Sequence, residues 1–452
     1  MHLEDASLRL LKDALKKLDD GFASLPAISA DAAHDPRLAA VMNEVAAKMQ
    51  DNYPYFHPLY AGQMLKPPHP IARAAYALAT WINPNNHALD GGRASSAMEK
   101  EAVAQIAEMF GWKEFLGHLC GGGTMANLEA LWVAGQLRPG KKIVASDQAH
   151  YTHRRISSVL QLPFAEVASD NRGCMDTKAL EAMLEAGDVG CVVATVGTTG
   201  TGSVDPLPEI LKLRERYGFR VHVDSAYGGY FALAGNLDTE TRASYDRIGE
   251  ADSIVIDPHK HGLQPYGCGC VLFRDPSVGA IYKHESPYTY FTSSELHLGE
   301  ISLECSRPGA SAVAVWATQR LLPLVRGGEF AKMLEASRSA AVQFSQRLTS
   351  DDRWVVPFAP ELDIVVWAPR AASASEISEL SQRIFDAAAK QNLHLALIRL
   401  PVRFFSGHRH GFRADRETVQ CLRSVLMKPE HRDWLERIWA ILSRAADEVL
   451  AR

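Results

Sequence analysis

The stretch Phe219-Arg220-Val221-His222-Val223-Asp224-Ser225-Ala226-Tyr227-Gly228-Gly229 decides the fold. Its first half is apolar at the alternating positions of a strand, and small residues follow directly after Asp224. Similar short β-rich runs stand at 142–146 (KIVAS), 189–197 (VGCVVATVG), 253–256 (SIVI) and 269–273 (GCVLF). Helical patterns separate most of them, notably at 124–136 and 205–217. Strands alternating with helices predict an α/β fold whose mainly parallel sheet is covered on both faces. In such sheets ligands bind beyond the carboxyl ends of the strands, which is where Asp224 falls.

Outward from this core, Leu3, Leu8, Leu11, Leu15 and Leu18 recur at helical spacing over residues 3–18. They predict an amphipathic helix, suited either to a dimer arm or to packing on its own subunit. Residues 50–70 are rich in Pro, Tyr and His and read as irregular, while 71–83 and 96–110 read as helices. Beyond residue 330 come long helical segments, short strands near 363–367 and 394–399, and a last helix from 430 to 450. The expected division is an N-terminal helical arm over 1–60, a large domain over 61–330 and a small α+β domain over 331–452. A chain of 452 residues is too long for one simple core, in keeping with that division.

Composition excludes several classes. With 47% apolar and 22% charged residues the chain is globular, and its net charge of −5 lacks the basic footprint of a nucleic-acid binder. Seven scattered cysteines, an odd number, fit a reducing compartment better than a disulfide framework. Met1-His2-Leu3-Glu4-Asp5 carries acids where a secretory leader would carry bases. Nowhere do about 18 apolar residues run together, the length a membrane span needs. The expectation is a cytoplasmic protein with no membrane and no nucleic-acid partner.

Five local patterns carry chemistry. Asp257-Pro258-His259-Lys260-His261-Gly262 follows the run SIVI and sets a lysine in a strand-end turn, where an amine can form a Schiff base. A solvated loop lysine has the same pattern. Asp224 can pair with a protonated ring nitrogen, or simply cap a helix. Cys120-Gly121-Gly122-Gly123-Thr124-Met125-Ala126-Asn127 opens a helix with glycines, which suits a phosphate. His150 ends Ser146-Asp147-Gln148-Ala149-His150 after another strand and can stack on an aromatic ring or move protons. Thr195-Val196-Gly197-Thr198-Thr199-Gly200 offers hydroxyls and amides after a further strand. Each pattern is weak alone. Together they bring an amine, a carboxylate, a stacking ring and a phosphate cradle to one sheet edge. His259 with His261, the triplet His408-Arg409-His410 and Cys268-x-Cys270 have ligand chemistry, but no second cysteine pair stands at zinc spacing, so no metal is expected.

The set resembles the group II pyridoxal-phosphate-dependent decarboxylases, relatives of aromatic-amino-acid and glutamate decarboxylases. GGGTMAN (121–127), SDQAH (146–150), ATVGTTGTGSVDP (194–206), HVDSAYGG (222–229) and DPHKHG (257–262) carry the match, with a weaker one at Leu422–Pro429. The resemblance spans roughly residues 55–445 and implies a fold-type I enzyme with pyridoxal 5'-phosphate as cofactor. It implies that an L-amino acid loses CO₂ to become an amine. Lys260 would hold the cofactor as a Schiff base, and Asp224 would pair with its ring nitrogen. Ala226 would lie on one ring face and His150 on the other. Gly122, Gly123 and Thr124 would bind the phosphate, helped by His259 and Asp257, and Thr199 would contact the ring substituents. Arg423 would hold the substrate α-carboxylate. Tyr288 and Tyr290, in Glu285–Thr292, compete for the role of the acid that returns a proton. Ser95, with Tyr60, Gln63 and Asn86, would line the substrate pocket. The family also implies a homodimer with active sites at the subunit interface.

Met125 stands where the family usually has a glutamate, and Asp257 is an acid near a phosphate that needs a compensating donor, His259 or Thr292. The spelling, with Ser302–Ala310, resembles the short archaeal and bacterial tyrosine/aspartate decarboxylases more than the animal aromatic enzymes. Sphingosine-phosphate lyases share the core motifs but cleave a carbon–carbon bond to an aldehyde. A non-catalytic cofactor-binding paralogue is a further alternative, against which the retention of Lys260, Asp224, His150 and Arg423 speaks.

Overall fold

All five β-rich runs form strands in a computed structural model, which describes residues 7–26, 35–283, 296–405 and 412–451. The first helices are α1 (Ser7–Asp20), α2 (Pro36–Met49), α3 (Pro70–Thr80) and α4 (Leu89–Met109). The α/β core follows as β1 (Leu116–Cys120), α5 (Gly123–Leu137), β2 (Lys142–Ser146), α6 (Thr152–Val159), β3 (Phe164–Val167), α7 (Thr177–Leu184) and β4 (Val189–Thr195). It continues as α8 (Leu207–Tyr217), β5 (Arg220–Asp224), α9 (Thr239–Asp246), β6 (Ser253–Ile256) and β7 (Gly269–Phe273). Then come α10 (Gly279–Tyr282), α11 (Gly309–Leu321), α12 (Glu329–Thr349), β8 (Trp354–Val355), β9 (Ile364–Pro369), α13 (Ala374–Lys390), β10 (Ala396–Pro401), β11 (Thr418–Val425) and α14 (His431–Leu450).

The first seven strands make one sheet in the order β1-β7-β6-β5-β4-β2-β3. Pairs from β3 to β6 are parallel, and all of these strands except the edge strand β3 are buried on both faces. β7 is antiparallel to both β6 and β1. The connection from β6 to β7, residues 257–268, holds no helix to cross back over the sheet, and β7 returns alongside β6 in the opposite sense. α5 lies across the middle of one face, touching β4 to β7. The small sheet, β10-β11-β9-β8, is wholly antiparallel and is covered by α12, α13 and α14.

The two sheets are tied by buried polar bonds. The Tyr227 hydroxyl donates to Asp363 Oδ1 at 2.5 Å, and His261 Nε2 lies 3.1 Å from Asp363 Oδ2. Val204 donates its N–H to Glu361 Oε2 at 2.5 Å. The boundary expected at 330 falls in the first turn of α12, whose Phe330 and Leu334 join the large core and whose Phe344 and Leu348 join the small one. Ala61 sits with the small sheet: its N–H donates to the His394 carbonyl and its carbonyl accepts from Val425 N, both at 2.9 Å. No helix among the described residues is long and apolar enough to cross a membrane.

Candidate active site

The carboxyl ends of β4, β5 and β6 and the amino end of α5 meet around a cavity of about 520 Å³. Gly122, Gly123, Thr124, His150, Thr199, Asp224, Ala226, Asp257, His259 and Lys260 all line it. Ten residues singled out between Gly122 and Lys260 are thus brought to one place by the parallel topology.

Asp224 ends β5 and is buried. Its Oδ1 accepts the Ala226 N–H at 3.1 Å, and its Oδ2 lies 2.8 Å from His153 Nε2. Burial alone would push this carboxyl up. The bond from His153, with the positive field of Lys260, instead holds it well below the usual carboxylate range. Beneath it, His222 Nε2 meets Asn127 Oδ1 and Nδ1 meets Ser253 Oγ, both at 2.8 Å. Burial pushes His222 down to about 3, so the ring is neutral and acts as a strut between α5 and the sheet. Burial also lowers His150 and His259.

Lys260 sits in the turn after β6, with Nζ 3.0 Å from Asp257 Oδ2. His259 Nε2 lies 3.6 Å from the same oxygen. Lys260 supplies the positive charge that an acid beside a phosphate requires, and His259, lowered by burial, stands next to it; Thr292 lies outside the described residues. Asp257 Oδ1 is buried without a hydrogen-bond partner. The His259 ring is fixed by Nδ1 against the Cys268 carbonyl at 2.7 Å.

The first amide to bond within α5 is that of Ala126, to the Gly122 carbonyl. The N–H groups of Gly123, Thr124 and Met125 therefore remain at the helix opening, facing the cavity end where an anion is favoured. Gly122 has φ +137°, open to glycine, and a Cβ there would come 3.2 Å from the His259 ring. A Cβ on Gly123 would stand 2.7 Å from Asp257 Oδ2. This close cradle, the free helix amides, the buried carboxylate of Asp224 and the amine of Lys260 are the donor set that pyridoxal phosphate needs, and they fit it.

Other expectations come out differently. Ser95 does not line the cavity. The first turns of α4 bury it, and its Oγ donates to Asn86 Oδ1 at 2.5 Å. Asn86 in turn donates to Glu99, which also pairs with Arg307 at 2.9 Å, so Ser95 and Asn86 build a buried polar network rather than a pocket wall. Arg423, on β11, lies behind the cavity wall: Nη2 donates to the Thr199 carbonyl at 2.7 Å and Nη1 to Gln63 Oε1 at 3.1 Å, while Nε has no hydrogen-bond partner. Tyr288 and Tyr290 lie outside the described residues, as does the triplet 408–410. His261 turns away from its neighbour Lys260 into the contact with Asp363.

Two residues escaped the sequence reading. His153 stands one turn after His150 in the opening of α6, and that helical spacing was the available signal. Glu304 lines the cavity and accepts the Gly121 N–H at 3.1 Å. Nothing local marks it, because a loop 183 positions away in sequence brings it there.

The comparisons agree with this geometry. The "Pyridoxal-dependent decarboxylase conserved domain" matches residues 125–369, more than half of the chain. The chain is 28% identical to the L-tyrosine decarboxylase of Enterococcus faecium, over 76% of this chain and 75% of the relative. It is 30% identical to the L-aspartate decarboxylase of Thermococcus kodakarensis, over 61% of this chain and 71% of the relative. The crystal structure of mouse CSAD superposes with a TM-score of 0.77 at 19% identity, over 95% of this chain and 91% of that one. That of Oryza sativa TDC with PLP and tryptamine gives 0.76 at 18%, over 98% and 99%. With Lys260 and Asp224 inside the matched segment and the Gly122–Thr124 cradle directly before it, the chain belongs to the pyridoxal-dependent decarboxylase family.

Proposed function

We propose the following division of labour for this pyridoxal-phosphate-dependent amino-acid decarboxylase. Lys260 would hold the cofactor covalently. The Gly123, Thr124 and Met125 amides would bind its phosphate at the start of α5, with His259 beside them. Asp224 would hold a proton at the ring nitrogen, and Ala226 and His150 would confine the ring. When bound, pyridoxal phosphate supplies the electron sink for the pair left as the Cα–carboxylate bond breaks. The observation that carries this reading is the shared cavity of Lys260, Asp224 and the helix opening.

Arg423 backs the cavity wall at Thr199, whose carbonyl it binds, and would attract the α-carboxylate from there, with Nε and the remaining donors of its five left free. One carbon–carbon bond breaks, CO₂ leaves, and a proton from Tyr288 or Tyr290 completes the amine at Cα. The names of the relatives support a tyrosine-like or aspartate-like substrate. A homodimer in the cytoplasm is the proposed state, supported by an exposed apolar stripe on α2 and by seven unpaired thiols.

The test is direct. Purified protein is expected to bind pyridoxal phosphate with a visible absorption band that Lys260→Ala abolishes. A CO₂-release screen over the twenty amino acids is expected to find turnover with an aromatic or an acidic side chain. A protein that takes up no cofactor would sink the whole reading. Aldehyde formed without CO₂ would replace it by the carbon–carbon lyase, and turnover confined to other side chains would overturn the substrate class.

A further inference from the structure

His153 has no role in the assignment above, yet its environment is specific. It lies on the first turn of α6 and is fully buried. Its Nε2 is 2.8 Å from Asp224 Oδ2, and its Nδ1 is buried with no hydrogen-bond partner. The charge state of Asp224 settles the tautomer. An ionised carboxylate only accepts, so Nε2 carries the hydrogen and donates it. Nδ1 is then a bare lone pair. A second N–H there would be an unsatisfied buried donor on a cation, the costlier arrangement.

A neutral ring has a consequence for the carboxylate. It restrains one oxygen without cancelling its charge, so Asp224 keeps a full negative charge for one positive partner. The other groups around Asp224 leave that vacancy open. His222, from the same strand, is neutral and spent on Asn127 and Ser253. Lys260 is paired to Asp257, and His150 faces the cavity across from it. Ala226 N–H takes the other oxygen. The carboxylate plane is thus fixed from behind by two donors, with the remaining lone pairs free.

We propose that His153 is a positioning residue, which aims the Asp224 carboxylate at the ring nitrogen of the cofactor and preserves its charge for that nitrogen. The proposal rests on the reading that Asp224 serves the ring nitrogen, and the test separates the two. The apo-protein is titrated with pyridoxal phosphate and with its 1-deaza analogue, in which a C–H replaces the ring nitrogen. Wild type is expected to prefer pyridoxal phosphate by about 10- to 100-fold, the factor that corresponds to one hydrogen bond to a charged group. His153→Ala loses that preference, and His153→Gln, which keeps a donor, restores part of it. CO₂ release follows the same order, with the loss in kcat rather than KM. A His153→Ala protein that weakens both ligands equally, or neither, overturns the positioning role. A wild type that binds both ligands alike overturns the role of Asp224 itself.

Discussion

Gly123 has no room for a methyl group. Its φ lies outside the left-handed region, so the restriction is steric: a Cβ would meet Asp257 Oδ2 at 2.7 Å and Ala226 Cβ at 3.3 Å. Asp257 is short and is pinned by Lys260, so relief must move either the Lys260 partner or the start of α5. Gly123→Ala is therefore expected to weaken cofactor binding by about tenfold or more, with the far-ultraviolet circular dichroism unchanged. Equilibrium dialysis against pyridoxal phosphate measures it, and an unaltered Kd would mean the cradle has slack. At this scale the motif residues were legible because each stands directly after a strand or at a helix opening. Ser95 was misread because it was placed on a pocket wall, whereas the helix begins at Leu89 and turns that side chain inward. His153 and Glu304 depend on tertiary approach, which no local pattern records.

Between elements, Glu361 joins the loop after β4 to the segment before β9. It accepts the Val204 N–H, its other oxygen lies 3.6 Å from Cys174 Sγ, and burial pushes its carboxyl up to about 7. A raised acid binds its proton more tightly folded than unfolded. The stability it contributes is present below the ordinary carboxyl range and is lost as pH rises through about 7. Glu361→Gln keeps an acceptor and removes the titration. It is expected to be more stable than wild type at pH 8 by roughly 1–3 kcal/mol and equal to it near pH 4. Urea midpoints at both pH values decide it, and a difference that is the same at both would refute the titration. The parallel strands β2, β4, β5 and β6 were legible as short β-rich runs between helical patterns. β1 was not, because Leu116-Gly117-His118-Leu119-Cys120 carries a glycine and a histidine, and its His118 is accommodated by a buried Glu129 on α5 at 2.9 Å and by the Leu119 carbonyl at 2.8 Å. β3 is a four-residue edge strand with an exposed Glu166, and β11 was read for its arginine rather than its alternation.

For the molecule as a whole, the open question of surface is α2. Leu38, Val41, Met42, Val45 and Met49 share one face at helical spacing, and each is 44–63% exposed. Trp81 and Ile82, after α3, are exposed as well. Water-facing stripes of this kind mark association. The full chain is expected to sediment as a dimer, and Val41→Asp with Val45→Asp to shift it toward monomer with a matching loss of CO₂ release. A wild type that sediments as a monomer at micromolar concentration would refute the arm. The mounting of Lys260 bears on how the whole cycle closes. Its turn is clamped by the Ile256–Cys270 pair of β6 and β7 and by the His259 N–H on the Cys268 carbonyl at 3.1 Å. An amine so mounted cannot drift away with a flexible loop. It stays an intramolecular nucleophile, whose effective concentration would far exceed that of any free amine in solution. In the role proposed for it, Lys260 would thus keep the cofactor through repeated turnovers without exchange with the surrounding pool.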